Sequence, residues 1–229
     1  MKTRILYEDT ALLVCFKPLG LAVQSGRIAE PDMVSELKNY LARQFDTNIA
    51  QKKPVYLGVV HRLDQPVSGV LVFAKNPAAA ADLSRQIAGD RMRKTYRAVV
   101  CGGNPTEAGE WRELTDFLRK EPGGGARIAR PGEPGAKKAR LSYRTLDERD
   151  GCMLLEIVLQ TGRHHQIRVQ FSHAGMPLLG DYRYGTGESR LLSERIGIRT
   201  VQLQAVRLGF THPVTGKEVC FELEDKLAI

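Results

Sequence analysis

The sequence has no cysteine pair that reads as a metal or redox motif. Cys15, Cys101, Cys152 and Cys220 stand far apart, with neither a CxxC pair nor zinc-ligand spacing. Three of them lie in apolar runs, where cysteine is usually a small buried hydrophobe. Reduced thiols in a cytoplasmic protein are the expected state. No apolar run approaches the ~18–20 residues of a membrane span. The opening Met1-Lys2-Thr3-Arg4-Ile5 soon reaches Glu8 and Asp9, so no signal peptide is expected and the protein reads as soluble. There is no Walker A string, because Gly216-Lys217 is followed by Glu218 and lacks the upstream glycine. No HExxH or Cys/His cluster points to a metal, and neither an internal repeat nor a low-complexity tail is present. Phosphate-loop NTPases, zincins and membrane proteins are therefore set aside.

The chain does carry an excess of positive charge. Lys and Arg number 34 against 26 Asp and Glu, a net charge of +8 and a sequence pI of about 9.4. This balance suggests a polyanionic partner and leaves RNA, DNA and lipid head groups open. A chain of 229 residues fits one large domain or two small ones and buries on the order of 70% of its unfolded surface.

The stretch His61-Arg62-Leu63-Asp64-Gln65-Pro66-Val67-Ser68-Gly69 sets a cation, an anion and a turn between two apolar runs. The runs, Val55 to Val60 and Val70 to Lys75, read as buried strands. Asp64 is then a carboxylate on a loop held by core strands. HRLD taken alone fits a surface ion pair beside a turn. It is not the kinase HRD loop, since Leu63 intervenes and Gly69 stands where that loop needs Asn.

Elsewhere, Arg4 to Glu8 and Leu12 to Phe16 read as short strands before a Lys17-Pro18-Leu19-Gly20 turn. A lysine in such a turn is more often solvated than functional. Met33, Val34, Leu37, Tyr40, Leu41 and Phe45 form one helical face, and Gln51-Lys52-Lys53-Pro54 is a polar link. Asn76 and Pro77 predict the cap and first turn of an Ala-rich helix ending at Gly89. Arg91, Arg93, Lys94 and Arg97 surround Tyr96. The pattern fits either a half-buried strand with solvated neighbours or a basic edge with an aromatic stacking platform.

Residues 119–140 hold Gly, Pro and an excess of cations and read as a mobile basic loop or hairpin tip, either a solvated linker or a finger for phosphates. Ala139 to Leu146 and Met153 to Leu159 predict paired strands around an Asp150-Gly151 turn. Thr161 is expected to cap a helix from Gly162 to Ala174. That helix would place His164 and Arg168 on one face near its N-terminus, a fair anion site. Gln202 to Phe210 and Glu218 to Leu223 read as closing strands.

The string from His61 to Lys75 closely resembles the signature of RNA pseudouridine synthases of the RluA family. So do Lys-Pro-x-Gly at 17–20, Lys94-x-Tyr96-x-Ala98, Gly162-Arg163-His164-His165-Gln166-Ile167-Arg168, and Pro177-Leu178-Leu179-Gly180-Asp181 with Tyr184-Gly185. These motifs occur in the family's order from about Glu8 to Phe221. Val67 departs from the threonine of many relatives.

The resemblance implies an α+β fold with a central mixed or antiparallel sheet, flanking helices and a basic cleft. Residues 1–229 would form one catalytic domain, without an N-terminal module of the S4 type. It further implies Asp64 as the catalytic carboxylate, paired with Arg168, and Tyr96 against the target base. Arg62 would fill the gap left by a flipped base, and His61, Lys94, Arg163 and His164 would contact the substrate.

Isomerising uridine neither gains nor loses atoms, so no cofactor or metal is expected. The implied substrate is structured RNA, ribosomal or transfer, with no membrane and no obligatory protein partner. Whether Asp64 attacks C1′ or removes the C2′ proton is left open. Two other readings compete with this one: an RNA-binding protein that performs no isomerisation, and a nucleoside N-glycosidase. A hydrolytic glycosidase would usually need a second carboxylate.

Overall fold

The fold is that of a computed structural model, which describes residues 2–27, 30–44, 55–107 and 109–229. Phe45 and the link Gln51-Lys52-Lys53-Pro54 lie outside the described residues. In chain order the elements are β1 (Arg4–Glu8), β2 (Leu12–Lys17), α1 (Met33–Gln44), β3 (Gly58–Val59), β4 (Ser68–Ala74), α2 (Pro77–Ala88), β5 (Arg93–Cys101) and β6 (Arg112–Lys120). There follow β7 (Ala126–Ala129), β8 (Lys137–Arg149), β9 (Cys152–Leu159), α3 (Gln166–His173), α4 (Gly187–Arg195), β10 (Leu203–Thr211) and β11 (Glu218–Glu222). The class is α+β, as expected. Among the described residues no helix is long and apolar enough to cross a membrane. The chain packs as two compact units, Met1–Met92 with Arg207–Leu223, and Arg93–Val206 with Glu224–Ile229.

In the first unit β2 pairs antiparallel with both β1 and β4, and β10 pairs with β11. Nearly every residue of β2 and β4 is buried, so these strands read as continuous apolar runs rather than alternating ones. Leu12, Val14, Val70 and Val72 meet Leu83 of α2 and Leu208 and Phe210 of β10 in one core. Burying each such side chain is worth about 1.5–3 kcal/mol. Helix α2 starts as its sequence dictates: Asn76 Oδ1 accepts the Ala79 N–H at 2.9 Å, and Pro77 occupies the first turn.

The β1–β2 turn is locked by Asp9, which accepts N–H bonds from Ala11 and Leu12. Its other oxygen lies 2.8 Å from Nε2 of the buried His212. Nδ1 of that ring accepts from the N–H groups of Val214 and Thr215, so Nε2 carries the proton.

The strand expected over Val55 to Val60 shrinks to the two residues of β3, paired with Phe73 and Ala74. The chain leaves the ladder there, and the N–H of Val72 is taken by the His61 imidazole, Nε2 accepting at 3.2 Å. A side chain thus stands in for strand backbone, which frees residues 60–67 to form a loop.

The second unit is an antiparallel meander in the order β5-β9-β8-β6-β7. Asp150 and Gly151 both adopt positive φ, 53° and 75°, in the β8–β9 turn that Asp-Gly predicts. Of the loop and hairpin-tip readings of residues 119–140, the second fits: they hold the end of β6, all of β7 and the start of β8, with short turns between. Leu118, Ala126 and Ala139 pack with Val169 of α3. Small apolar residues scattered among Gly, Pro and Arg make a weak sequence signal, and strand pairing supplied the rest.

Between α3 and α4 the chain passes through Gly180, at φ 70°. A Cβ on Gly180 would lie 2.0 Å from the Thr200 carbonyl oxygen, so this backbone passage, directly before Asp181, admits only glycine. Gly180→Ala is expected to lower stability by about 2–4 kcal/mol through strain and overpacking. Urea unfolding reads the change, and an unaltered midpoint would show that the Thr200 segment yields freely.

Candidate active site

In the first unit, Asp64 sits half-buried on the loop 60–67, between the buried anchors Leu63 and Val67. Its carbonyl closes a turn by accepting the Val67 N–H at 3.0 Å. What holds this turn is Lys17, a fully buried residue at 0% exposure. Its Nζ donates to the carbonyls of Pro18 (3.1 Å), Gln65 (2.9 Å) and Val67 (2.6 Å). Gly20 adds a second tie: its N–H donates to Gln65 O, and its carbonyl accepts from Gln65 Nε2. The Lys-Pro-x-Gly turn is therefore a clamp on the Asp64 loop, contrary to the solvated lysine that its turn composition favours. Burial pushes the Lys17 pKa down to about 8, while the Asp64 charge acts in the opposite sense. Arg62 is exposed, and His61 lends Nε2 to strand β4.

In the second unit, Tyr96 is buried on β5, opposite Ile157 of β9, with Lys94 half-buried two residues earlier. Arg168 is only 5% exposed. Its Nε and Nη2 donate to Asp181 Oδ2 and Oδ1 at 2.7 and 2.8 Å, a bidentate charge-assisted pair. Asp181 Oδ1 also accepts the N–H groups of Arg183 and Tyr184. The Arg168 guanidinium lies 4.9 Å from the Tyr184 ring centroid.

The approach to α3 differs from expectation. The helix begins at Gln166, after His165 in the left-handed region at φ 51°, so His164 precedes the helix and shares no helical face with Arg168. Thr161 does not cap it. The Arg140 N–H claims Thr161 Oγ1 at 2.9 Å, and the Thr161 hydroxyl donates to Gln166 Oε1 at 2.8 Å. Gln166 Oε1 also accepts the Arg163 N–H. Arg163 is exposed and donates from Nε to Lys138 O. His164 Nε2 lies 3.0 Å from Gly124 O, and its ring stacks on His165 at 3.8 Å.

Residues 11–173 match the family model described as RNA pseudouridylate synthase. The chain belongs to this family. Its reaction is the isomerisation of uridine to pseudouridine in RNA. The ribosomal large subunit pseudouridine synthase D of Zymomonas mobilis is 33% identical over 223 residues, 96% of this chain and 68% of that protein. The ribosomal large subunit pseudouridine synthase C of Salmonella typhimurium is 32% identical over 225 residues, covering 95% and 65%. The structure of human RNA pseudouridylate synthase domain containing 4 shares the fold, with a TM-score of 0.72 at 22% identity. That likeness spans 96% of this chain and 88% of the human one.

Within this synthase, Val67 offers Lys17 a backbone carbonyl, which any residue supplies, and its side chain is buried. Sequence reasoning gave no role to Tyr184, although it lies in a family-like string. It also left Asp181 without a partner, since 13 residues separate it from Arg168.

Free lysine releases its proton near 10.5 and Lys17 near 8. Between those values the unfolded chain holds more protons than the folded one, so the Lys17 contribution makes stability rise with pH across that window. Lys17→Met should abolish this rise. It should also lower stability at neutral pH by about 1–3 kcal/mol, because buried carbonyls lose their donor. Urea unfolding of both proteins from neutral pH to 10.5 tests this, and identical pH slopes would refute it.

Proposed function

We propose that this synthase converts specific uridines of structured RNA to pseudouridine, with Asp64 as the catalytic carboxylate and no cofactor. Ribosomal RNA of the large subunit is the first candidate substrate, because two relatives carry that assignment in their names; transfer RNA is the second. Residues 1–229 act as one catalytic domain, since family motifs lie in both compact units. The reaction takes place in the cytoplasm, where the free thiols stay reduced.

The observation that carries the reading is the HRLD carboxylate on a loop whose backbone is held by a buried ammonium. The C1′–N1 bond breaks, the uracil turns, C5 joins C1′, the C5 proton departs to solvent and N1 takes up a proton. Both routes, attack on C1′ and removal of the C2′ proton, begin with Asp64 ionised. Arg168 is assigned as the cationic partner of Asp64. Tyr96 packs on the uracil, and Arg62 occupies the space of the flipped base. Flipping costs a few kcal/mol, and less for an unstacked loop nucleotide, which favours structured RNA loops. Lys94, Arg163, His61 and His164 provide further substrate contacts.

Asp64→Asn preserves shape and removes the ionisable oxygen. It should reduce pseudouridine formation by about 10³-fold or more and leave RNA affinity within about twofold. Mapping pseudouridine in a deletion strain complemented with wild type or Asp64→Asn identifies the substrate. Restoration of the missing sites by the variant would instead favour a protein that works by binding RNA alone.

A further inference from the structure

The turn after Gly180 does more than supply Asp181. Two hydrogen bonds along one edge of a guanidinium fix the direction of that edge but leave rotation about it. Asp181 makes those two bonds, to Nε and Nη2 of Arg168. The remaining rotation is opposed by the Tyr184 ring, 4.9 Å from the guanidinium carbon. Asp181 accepts the N–H of Tyr184 at 3.2 Å and the carbonyl of Asp181 accepts the N–H of Gly185 at 2.8 Å. Both restraints therefore belong to one closed turn.

The ring itself is anchored at its far end and at its backbone. Its hydroxyl oxygen accepts the Ala126 N–H at 2.9 Å and lies 2.6 Å from His165 Nδ1. Ser172 Oγ donates to the Tyr184 carbonyl. Ala126 opens β7, directly after the β6–β7 turn, and that turn is gripped again by His164 at Gly124 O and by Arg183 at Gly123 O. Tyr184 thus stands between the catalytic-motif arginine and the β6–β7 hairpin. Stacking under a desolvated guanidinium is worth up to about 2 kcal/mol, enough to select one orientation.

We propose that Tyr184 is a positioning residue for the isomerisation: its ring sets the plane of the Arg168 guanidinium, and its hydroxyl fixes the ring through Ala126 and His165. The proposal rests on the functional role assigned to Arg168 above. A group that acts through Arg168 affects the chemical step and not RNA binding. A merely structural tyrosine would change the melting temperature and leave turnover below it unaltered.

The experiment uses the full chain and RNA labelled at C5 of uridine with tritium, isolated from a deletion strain. Tritium release under single-turnover conditions at 20 °C gives the rate, and filter binding to the same RNA gives Kd. Tyr184→Leu should slow release by about 10- to 100-fold, the scale of a small misplacement of a reacting group, with Kd within about twofold. Tyr184→Phe keeps the ring and loses its anchor, so its rate should fall between those of wild type and Tyr184→Leu. This second variant still decides the matter if Tyr184→Leu does not fold. A wild-type rate in a folded Tyr184→Leu or Tyr184→Phe protein would overturn the proposal, as would a loss of affinity equal to the loss of rate. A wild type that releases no tritium would remove the functional reading itself, an outcome distinct from either.

Discussion

A single ammonium group holds the loop that presents Asp64. Lys17 has left water completely, which for an isolated charge would cost many kcal/mol, and three backbone carbonyls replace the lost hydration. Those carbonyls belong to the turn after β2 and to the residues on either side of Pro66. The ammonium therefore joins two segments 48 and 50 residues apart in sequence. Strand pairing does not hold this loop, because β3 ends after two residues and His61 serves as a surrogate strand partner; the Gly20–Gln65 bonds are its second tie. Rigidity comes from a charge solvated by dipoles, together with Leu63 and Val67 packed below.

The second unit meets a similar demand by a different route. Arg168 is buried with a complete carboxylate partner, and side-chain exposures of 5% and 1% place the pair in a low-dielectric setting. Breaking such a pair leaves one charge uncompensated, at about 3–5 kcal/mol. The carboxylate is oriented by the N–H groups of its own turn and the guanidinium by the Tyr184 ring. Both units thus hold their charged groups in place before substrate arrives, which is how polar groups stabilise developing charge without reorganising during reaction.

Local chemistry made several elements readable. Asn76-Pro77 announces α2 because a cap and a fixed φ act within one turn, and Asp150-Gly151 announces the β8–β9 turn because both residues tolerate positive φ. The buried strands β2 and β4 follow from continuous apolar runs, and the helical face of α1 from apolar periodicity. The elements left open or misread depend on distant partners. Residues 119–140 became strands because Leu118, Ala126 and Ala139 cover Val169, a contact with no local signature. Helix α3 starts at Gln166 because His165 before it is left-handed, while Arg140 of β8 engages the Thr161 hydroxyl oxygen.

The sequence by itself determined the family, the reaction and the residues worth examining, because the ordered motifs carry the side chains that the chemistry needs. Tertiary structure alone decided how those side chains are held. It turned Lys17 from a turn residue into a buried clamp, gave Arg168 its partner Asp181, and brought Tyr184 under the guanidinium. The physical reason is that the environment of a charge is set by whatever the fold brings within a few ångströms of it, and none of that is written in the neighbouring residues of the chain.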